Sequence, residues 1–126
     1  MNMYKKLVGN MGEDIATNYL KKKKYKILDK NFTAGKGEID IIALKDKTTV
    51  FIEVKTRQNE DFGTPAEAVD LKKRKKLIET ATRYINEKNP DTGFRFDVIE
   101  VYGCLKDGEF YFEKIEHIED AFGVNY

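Results

Sequence analysis

The chain has 126 residues, the size of one ordinary domain, and about a quarter of them are Leu, Ile, Val or Phe, enough for a core. The longest purely apolar run, Ile41 to Leu44, is far shorter than the roughly 20 residues of a membrane span, and the first residues lack the apolar segment of a secretory signal. Cys104 is the only cysteine and His117 the only histidine, which excludes an internal disulfide and a cysteine-rich zinc site. We therefore expect a single cytoplasmic domain over residues 1–126, with no membrane partner.

The net charge of +1 conceals an uneven distribution. Residues 1–90 hold 20 Lys or Arg and 13 Asp or Glu, whereas residues 91–126 hold 3 and 9. Each of two basic runs, Lys21 to Lys24 and Lys72 to Lys76, is alone typical of a solvated helix surface. Both on one small domain indicate an anionic polymer partner, nucleic acid first. The acidic segment 107–120 is either a rim that orients nucleic acid by repulsion or an edge strand kept soluble by charge.

The first half of the chain predicts a helix followed by three strands. Met11, Ile15 and Tyr19 recur at helical spacing within a predicted helix over residues 5–23. Residues 25–32 predict a strand, and the β-branched segments 38–44 and 48–56 predict two more, joined as an antiparallel hairpin by a turn at 45–47. Both hairpin strands carry apolar residues on both faces, which indicates a central sheet covered by helices.

The second half predicts a helix and two strands. Residues 57–63 are polar, and residues 64–67 resemble a capping box with proline in the first helical position. The helix either runs on from there, or Val69 and Asp70 mark a short extended piece and a second cap. It is predicted over 71–87, before Asn89 and Pro90, and strands follow at 94–102 and 108–112. The order predicts an α/β domain: a mixed central sheet flanked by helices, one on each side.

Three charged residues interrupt the apolar pattern of the hairpin strands. Asp40 lies in the middle of one strand, and Glu53 and Lys55 share one face of the next. Burying a charged side chain without a partner costs roughly several kcal/mol or shifts the pKa of the group. These residues are therefore expected either to pair with one another or to bind a cation and a substrate. Spacing alone favours the internal salt bridge, because a Glu-x-Lys triplet is common by chance.

The same trio meets the needs of metal-assisted phosphodiester cleavage. Two carboxylates can hold Mg²⁺ or Mn²⁺, which retains several waters, polarises a phosphoryl oxygen and lowers the pKa of a bound water. A lysine beside the metal would stabilise the charge that develops on phosphorus or orient the attacking water. Asp40, Glu53 and Lys55 are therefore candidate catalytic residues.

Several blocks of sequence, taken in this order and spacing, resemble the bacterial YraN-like family. That family resembles the PD-(D/E)XK nuclease superfamily, and especially the archaeal Holliday-junction resolvases. The likeness extends over about residues 8–100. The matching blocks are Gly12-Glu13-x-x-Ala16, Asn31, Gly37-Glu38-Ile39-Asp40, Phe51-Ile52-Glu53-Val54-Lys55-Thr56-Arg57, Gly63-x-Pro65 and Ala68-Val69-x-x-x-Lys73.

The resemblance implies a restriction-endonuclease-like αβββαβ core and a magnesium-dependent nuclease site. It assigns Asp40 to the motif aspartate, Glu53 and Lys55 to the Glu-x-Lys pair, and the backbone carbonyl of Val54 to a further metal ligand. It also places Glu13, on the first helix, beside the metal, although spacing alone favours a solvent-facing glutamate there. Glu38 is either a weaker site candidate or a surface acid at the strand entrance.

The resemblance also implies a substrate: branched or otherwise structured DNA, before RNA. A resolvase cuts two symmetric strands, so a homodimer is expected. The alternatives are a nucleic-acid-binding protein without turnover and a protein-interaction domain whose lysines only keep it soluble. Tyr4, Phe62 and Tyr84 are candidates for base stacking, Tyr84 being more typical of a core position. The candidate phosphate contacts, each alternatively an exposed polar residue, are Thr56, Arg57, Lys72, Lys73, Arg74 and Lys76.

Overall fold

The computed structural model describes residues 3–58 and 70–123, with side chains from residue 6 onward. The order of helices and strands is the predicted one. The predicted capping box at 64–67 and Phe62 lie outside the described residues, as does the side chain of Tyr4. The elements are α1 (Met3–Lys22), β1 (Lys26–Ala34), β2 (Gly37–Lys45), β3 (Thr48–Arg57), α2 (Leu71–Lys88), β4 (Gly93–Lys106) and β5 (Glu109–Phe122).

The five strands form one mixed sheet in the order β1-β2-β3-β4-β5. Every neighbouring pair is antiparallel except β3 and β4, which are parallel and connected through α2. Ala16 and Leu20 of α1 belong to one buried cluster, and Leu77 and Tyr84 of α2 belong to another. The α/β class, and a mixed sheet with a helix on each side, are therefore confirmed. Neither helix in the described parts of the chain has the length and apolar character that a membrane crossing requires.

Helix α2 begins and ends at residues whose side chains and backbone favour helix boundaries. The Asp70 carboxylate accepts a hydrogen bond from the Lys73 backbone N–H at 2.9 Å, so Asp70 is the N-cap. Asn89 adopts a left-handed conformation (φ 46°) and its N–H donates to the Ile85 carbonyl at 2.7 Å. Asp70 is therefore confirmed as a helix cap, whereas the extended piece predicted at Val69 lies outside the described residues.

The C-terminal hairpin is much longer than its sequence indicates. The strands predicted at 94–102 and 108–112 extend over Gly93–Lys106 and Glu109–Phe122. Strand β5 lies at the edge of the sheet, and most of its side chains are exposed or half-buried. Acidic side chains on β5 therefore cost little folding free energy. The acidic segment is therefore an edge strand, and its tip extends beyond the last β3–β4 pair, Arg57 with Tyr102.

The central hairpin opens at one end of the sheet. Strands β2 and β3 pair from Lys45 with Thr48 to Ile41 with Ile52, and no further pair follows. Asp40 and Glu53 are the next residues on each strand. The two strands thus separate where both carry a carboxylate, and this separation leaves room for a site.

Candidate active site

Asp40 and Glu53 border a cavity of about 570 Å³ between the separated strands and helix α1. The Asp40 carboxylate takes the place of a strand carbonyl, because its Oδ2 accepts a hydrogen bond from the Val54 N–H at 2.8 Å. Both carboxylates are only 9% exposed. The structure therefore brings these two predicted residues together. The polar side chains that line the cavity are those of Glu13, Asp40, Glu53, Lys55, Thr56, Arg57 and Gln58.

The two carboxylates crowd each other. Burial, the charge on Glu53 and a hydrogen bond shared with Glu53 raise the pKa of Asp40 to about 8, against the opposing effect of the Val54 N–H. Near neutral pH the metal-free Asp40 carboxyl therefore keeps its proton. A divalent cation could take the place of this proton beside the hard oxygen donors of the site.

Two lysines from different elements contact the same oxygen of Glu53. Lys55 Nζ lies 3.8 Å from Glu53 Oε1, and Lys73 Nζ of α2 lies 3.4 Å from it. Burial, reinforced by the neighbouring Lys73, lowers the pKa of Lys55. Burial acts in the same direction on Lys73, but the interaction with Lys55 and the charge on Glu53 outweigh it and raise the Lys73 pKa. The salt bridge expected from spacing is thus present, and it lies at the wall of an open cavity.

Glu13 approaches the same cavity from α1. Its pKa is raised by burial and lowered less strongly by a hydrogen bond from the Asn31 side chain. Within residues 3–58 and 70–123 no three acidic, histidine or cysteine side chains cluster as a complete metal cage. The site offers two adjoining carboxylates, with Glu13 and the Val54 backbone at its border. That set fits a hard ion such as Mg²⁺, which commonly binds through one or two carboxylates and keeps several waters.

Glycine at position 12 lets α1 lie close to the site. A methyl group on Gly12 would overlap the Thr56 hydroxyl on β3. Only a residue without a side chain permits this approach. The close contact between α1 and β3 places Glu13 at the cavity.

Arg57 is held by an acid that the sequence analysis did not single out. Arg57 Nε donates to Glu100 Oε2 at 3.0 Å, and the Glu100 side chain is fully buried on β4. Burial raises the pKa of Glu100, while Arg57 and Lys55 oppose that shift. Glu100 Oε1 has no hydrogen-bond partner in the described structure. This ion pair fixes the direction of a guanidinium at the cavity wall.

The predicted phosphate contacts fall in different places. Lys73 and Lys76 line a second cavity of about 210 Å³ that also contacts Asp40, Glu53 and the exposed Glu38. Lys72 is exposed on α2, whereas the Arg74 guanidinium lies over the Phe122 ring at 5.5 Å. Tyr84 packs in the core beneath α2, as its spacing indicated.

The first basic run lies away from the site. Lys21 and Lys22 form the last turn of α1, and the Lys23 carbonyl accepts a hydrogen bond from Lys45 at the end of β2. That end of the hairpin is five residues, about 17 Å, from Glu53 along β3. The two runs therefore do not form one basic face, and only the run on α2 borders the candidate site.

A second polar cluster, which the sequence analysis also missed, joins α1 to the far half of β4. The fully buried Asp97 accepts from Arg95 at 2.8 Å and contacts His117 Nε2 at 2.7 Å. His117 Nδ1 lies 3.0 Å from the Tyr19 hydroxyl on α1. The signal was available, because Asp97 and Glu100 interrupt the apolar pattern of β4 as Asp40 and Glu53 interrupt β2 and β3.

Sequence comparisons identify relatives over nearly the whole chain. A UPF0102 protein of Caldanaerobacter subterraneus subsp. tengcongensis is 50% identical over 119 residues, covering 94% of this chain and 96% of the relative. A UPF0102 protein of Clostridium beijerinckii is 45% identical over 126 residues, which cover 99% of this chain and all of the relative. A UPF0102 protein of Clostridioides difficile is 48% identical over 121 residues, which cover 95% of this chain and all of the relative. The model of the uncharacterised protein family UPF0102 matches residues 12–101, which include Glu13, Asp40, Glu53 and Lys55. The family resemblance is therefore confirmed, and the chain belongs to the uncharacterised protein family UPF0102.

Proposed function

We propose that this protein is a metal-dependent endonuclease that hydrolyses phosphodiester bonds in structured or branched DNA. The observation that carries the proposal is the pair of buried carboxylates, Asp40 and Glu53, meeting with Lys55 at the wall of an open cavity. Buried acids that repel each other destabilise a fold, and such positions are typical of sites that bind a ligand. Metal-dependent hydrolysis of phosphodiesters uses this combination of hard oxygen donors and a nearby cation.

The metal would be held by Asp40 and Glu53, with the Val54 carbonyl and Glu13 as further or water-mediated ligands. When bound, Mg²⁺ or Mn²⁺ supplies Lewis-acid polarisation of the phosphoryl group and lowers the pKa of a coordinated water. The chain's own contribution is to orient these oxygens. The Val54 N–H fixes Asp40, and Asn31 fixes Glu13.

The cationic residues stabilise the phosphate as its charge grows. Lys55 lies beside Glu53 at the cavity wall, where an ammonium can contact a non-bridging phosphate oxygen. Arg57, held in direction by Glu100, is placed to bind a neighbouring phosphate. Lys72 and Lys76 extend the positive surface along α2 and add contacts that depend on salt concentration.

The second candidate function is nucleic-acid binding without turnover. It is favoured by the ion pairs of Glu53 with Lys55 and Lys73, which partly satisfy the buried carboxylate without a metal. Under that alternative the lysines of α2 suffice for binding. Turnover distinguishes the two candidate functions.

The test uses the purified full chain with Mg²⁺ or Mn²⁺ and a panel of four-way junctions, flaps, duplexes and single strands. We expect metal-dependent cleavage of branched substrates that Asp40→Asn and Glu53→Gln abolish, while Glu79→Gln, an exposed acid on α2, leaves it unchanged. Cleavage that survives both site substitutions would contradict the assigned site. Salt-dependent binding without products would support the alternative. Light scattering of the same preparations tests the homodimer that symmetric cleavage requires.

A further inference from the structure

Helix α2 carries a lysine where its spacing calls for an apolar residue. Leu77, Ala81 and Tyr84 form the buried stripe of α2, and the next inward position toward the N-terminus is occupied by Lys73. The neighbouring Lys72 and Lys75 are exposed. The stripe therefore directs one lysine of the basic run toward the sheet.

The position of Lys73 is fixed from both ends. Its backbone N–H donates to the N-cap Asp70, and one turn later Leu77 is buried against β2 and β3. Its ammonium lies 3.4 Å from Glu53 Oε1, closer than that of Lys55 at 3.8 Å. Lys73 therefore belongs to the carboxylate pair, whereas Lys72 and Lys75 of the same run are exposed.

We propose that Lys73 is a positioning residue of the proposed catalytic centre: it holds Glu53 and supplies, as an ammonium, the positive charge that a second metal ion would otherwise provide. The inference rests on the proposed function. Two-metal sites place their ions about 4 Å apart and need additional carboxylates to hold them. Among the described residues no third acidic side chain completes a metal cage with Asp40 and Glu53, Glu13 lies only at the border of the cavity, and lysines already contact Glu53. The centre should therefore take one divalent ion.

A lysine that holds Glu53 should affect metal binding in a way that a surface lysine does not. An ammonium beside a metal-binding oxygen competes electrostatically with the incoming divalent ion. Removing it should strengthen metal binding while weakening the reaction, because Glu53 is then no longer held in place. A lysine that only contacts a distant phosphate would instead weaken DNA binding and leave the metal affinity unchanged.

The experiment measures Mn²⁺ binding to the full chain without DNA, by electron paramagnetic resonance of the free ion. We expect one Mn²⁺ per chain, about 5-fold tighter binding for Lys73→Gln, and less than about 2-fold change for Lys75→Gln, which removes the same charge two residues away. Lys73→Arg should keep an affinity close to that of the parent. With a cleaved DNA, Lys73→Gln should lower kcat about 10-fold and change KM little.

Equal Mn²⁺ affinities for Lys73→Gln and Lys75→Gln would overturn the inference while leaving the proposed nuclease function intact. Two ions per parent chain would overturn it as well. Absence of Mn²⁺ binding by the parent protein would overturn the proposed function and this inference together. Thermal melts of each variant confirm that folded protein is compared, and both positions are at least partly exposed on α2.

Discussion

Asp40 and Glu53 are acids whose burial is a cost to the folded protein. The pKa of Asp40 is raised to about 8 by burial and by Glu53, whereas an unfolded aspartate ionises near its usual value of 3.8. Between these two values the unfolded chain releases a proton that the folded chain keeps. The free energy of unfolding therefore falls as pH rises through this interval. Replacing the Asp40 carboxyl by an uncharged group should restore the free energy of unfolding that is lost in this way.

Asp40→Asn should make the metal-free protein more stable at about pH 8, by about 1 to 3 kcal/mol, because an asparagine oxygen can still accept from the Val54 N–H. Near pH 4 the difference should vanish. Urea unfolding at both pH values measures it. A variant less stable than the parent at the higher pH would contradict the crowding of the two carboxylates.

Added Mg²⁺ should reverse the order of stability. An ion that binds only the folded state stabilises it by about 2.7 kcal/mol at ~100 times its dissociation constant. The parent should gain this stability and Asp40→Asn should not, since it lacks one of the two anionic ligands. Equal stabilisation of both proteins would show that the ion binds elsewhere.

The sequence indicated the central acids and the Glu53–Lys55 pair, but not the partners of the other buried acids. Asp40 and Glu53 could be found because mid-strand charges are exceptional, and the family resemblance added Glu13. Glu100 and Asp97 gave the same signal on β4, yet their partners Arg57 and His117 come from other strands. A sequence read without its strand register does not show which distant cation will neutralise a buried acid.

At the scale of secondary structure, the contact between α1 and β3 determines where Glu13 lies. Gly12 touches Thr56, so Gly12→Ala should displace α1 and cost about 1 to 3 kcal/mol of unfolding free energy. Gly9→Ala, one turn earlier on the same helix, meets nothing within 4 Å and should stabilise by about 0.5 to 1 kcal/mol. Chemical denaturation of both variants measures the contrast. Equal effects would show that the close approach is not required.

The Asp97 cluster connects α1, β4 and β5, and it should govern acid stability. Burial raises the pKa of Asp97, but hydrogen bonds from His117, Arg95 and the Asp120 N–H outweigh it and hold it below 3.8. The cluster's stability is therefore present above about pH 4 and is lost as pH falls through the folded-state pKa.

Asp97→Asn should lower the free energy of unfolding by about 2 to 4 kcal/mol near neutral pH, because the half-buried Arg95 guanidinium loses its counter-charge and the contact of Asp97 with His117 Nε2 is weakened. The loss should shrink below about pH 4, where the parent's own aspartate becomes protonated. Urea unfolding across this range tests the change. A difference that stays constant with pH would contradict an ionised Asp97.

Element order and type were predictable, and the length of the last hairpin was not. Amphipathic spacing predicted α1 and α2, and β-branched runs predicted β2 and β3. Strand β5 is rich in glutamate, which strands usually avoid, and its β structure comes from pairing with β4 along one edge. Pairing with β4 thus overrides the low strand propensity of the glutamates in β5, the strand that the sequence predicted only over residues 108–112.

Across the whole molecule, the near-zero net charge hides two separate basic regions. The run on α2 borders the candidate site, whereas the run at the end of α1 lies at the other end of the central hairpin. Nucleic acid that reaches the site should therefore contact α2 and not the last turn of α1.

Paired variants with equal charge loss test this arrangement. The double variant Lys72→Gln/Lys76→Gln should bind a DNA duplex about 10-fold more weakly. The slope of log K against the logarithm of the salt concentration should become shallower by about 2. Lys21→Gln with Lys22→Gln should change both much less. Fluorescence anisotropy over a range of salt concentrations gives both quantities. Similar losses for the two pairs would mean that binding follows net charge and not the α2 surface.

The proposed activity requires a divalent ion bound between β2 and β3. A crystal of the protein soaked in Mn²⁺ and measured at a wavelength where manganese scatters anomalously tests this directly. We expect one anomalous peak within coordination distance of Asp40 and Glu53 carboxylate oxygens, with Lys55 and Lys73 remaining beside Glu53. Density without such a peak, with Asp40 still bonded to the Val54 N–H and both lysines closed over Glu53, would contradict it.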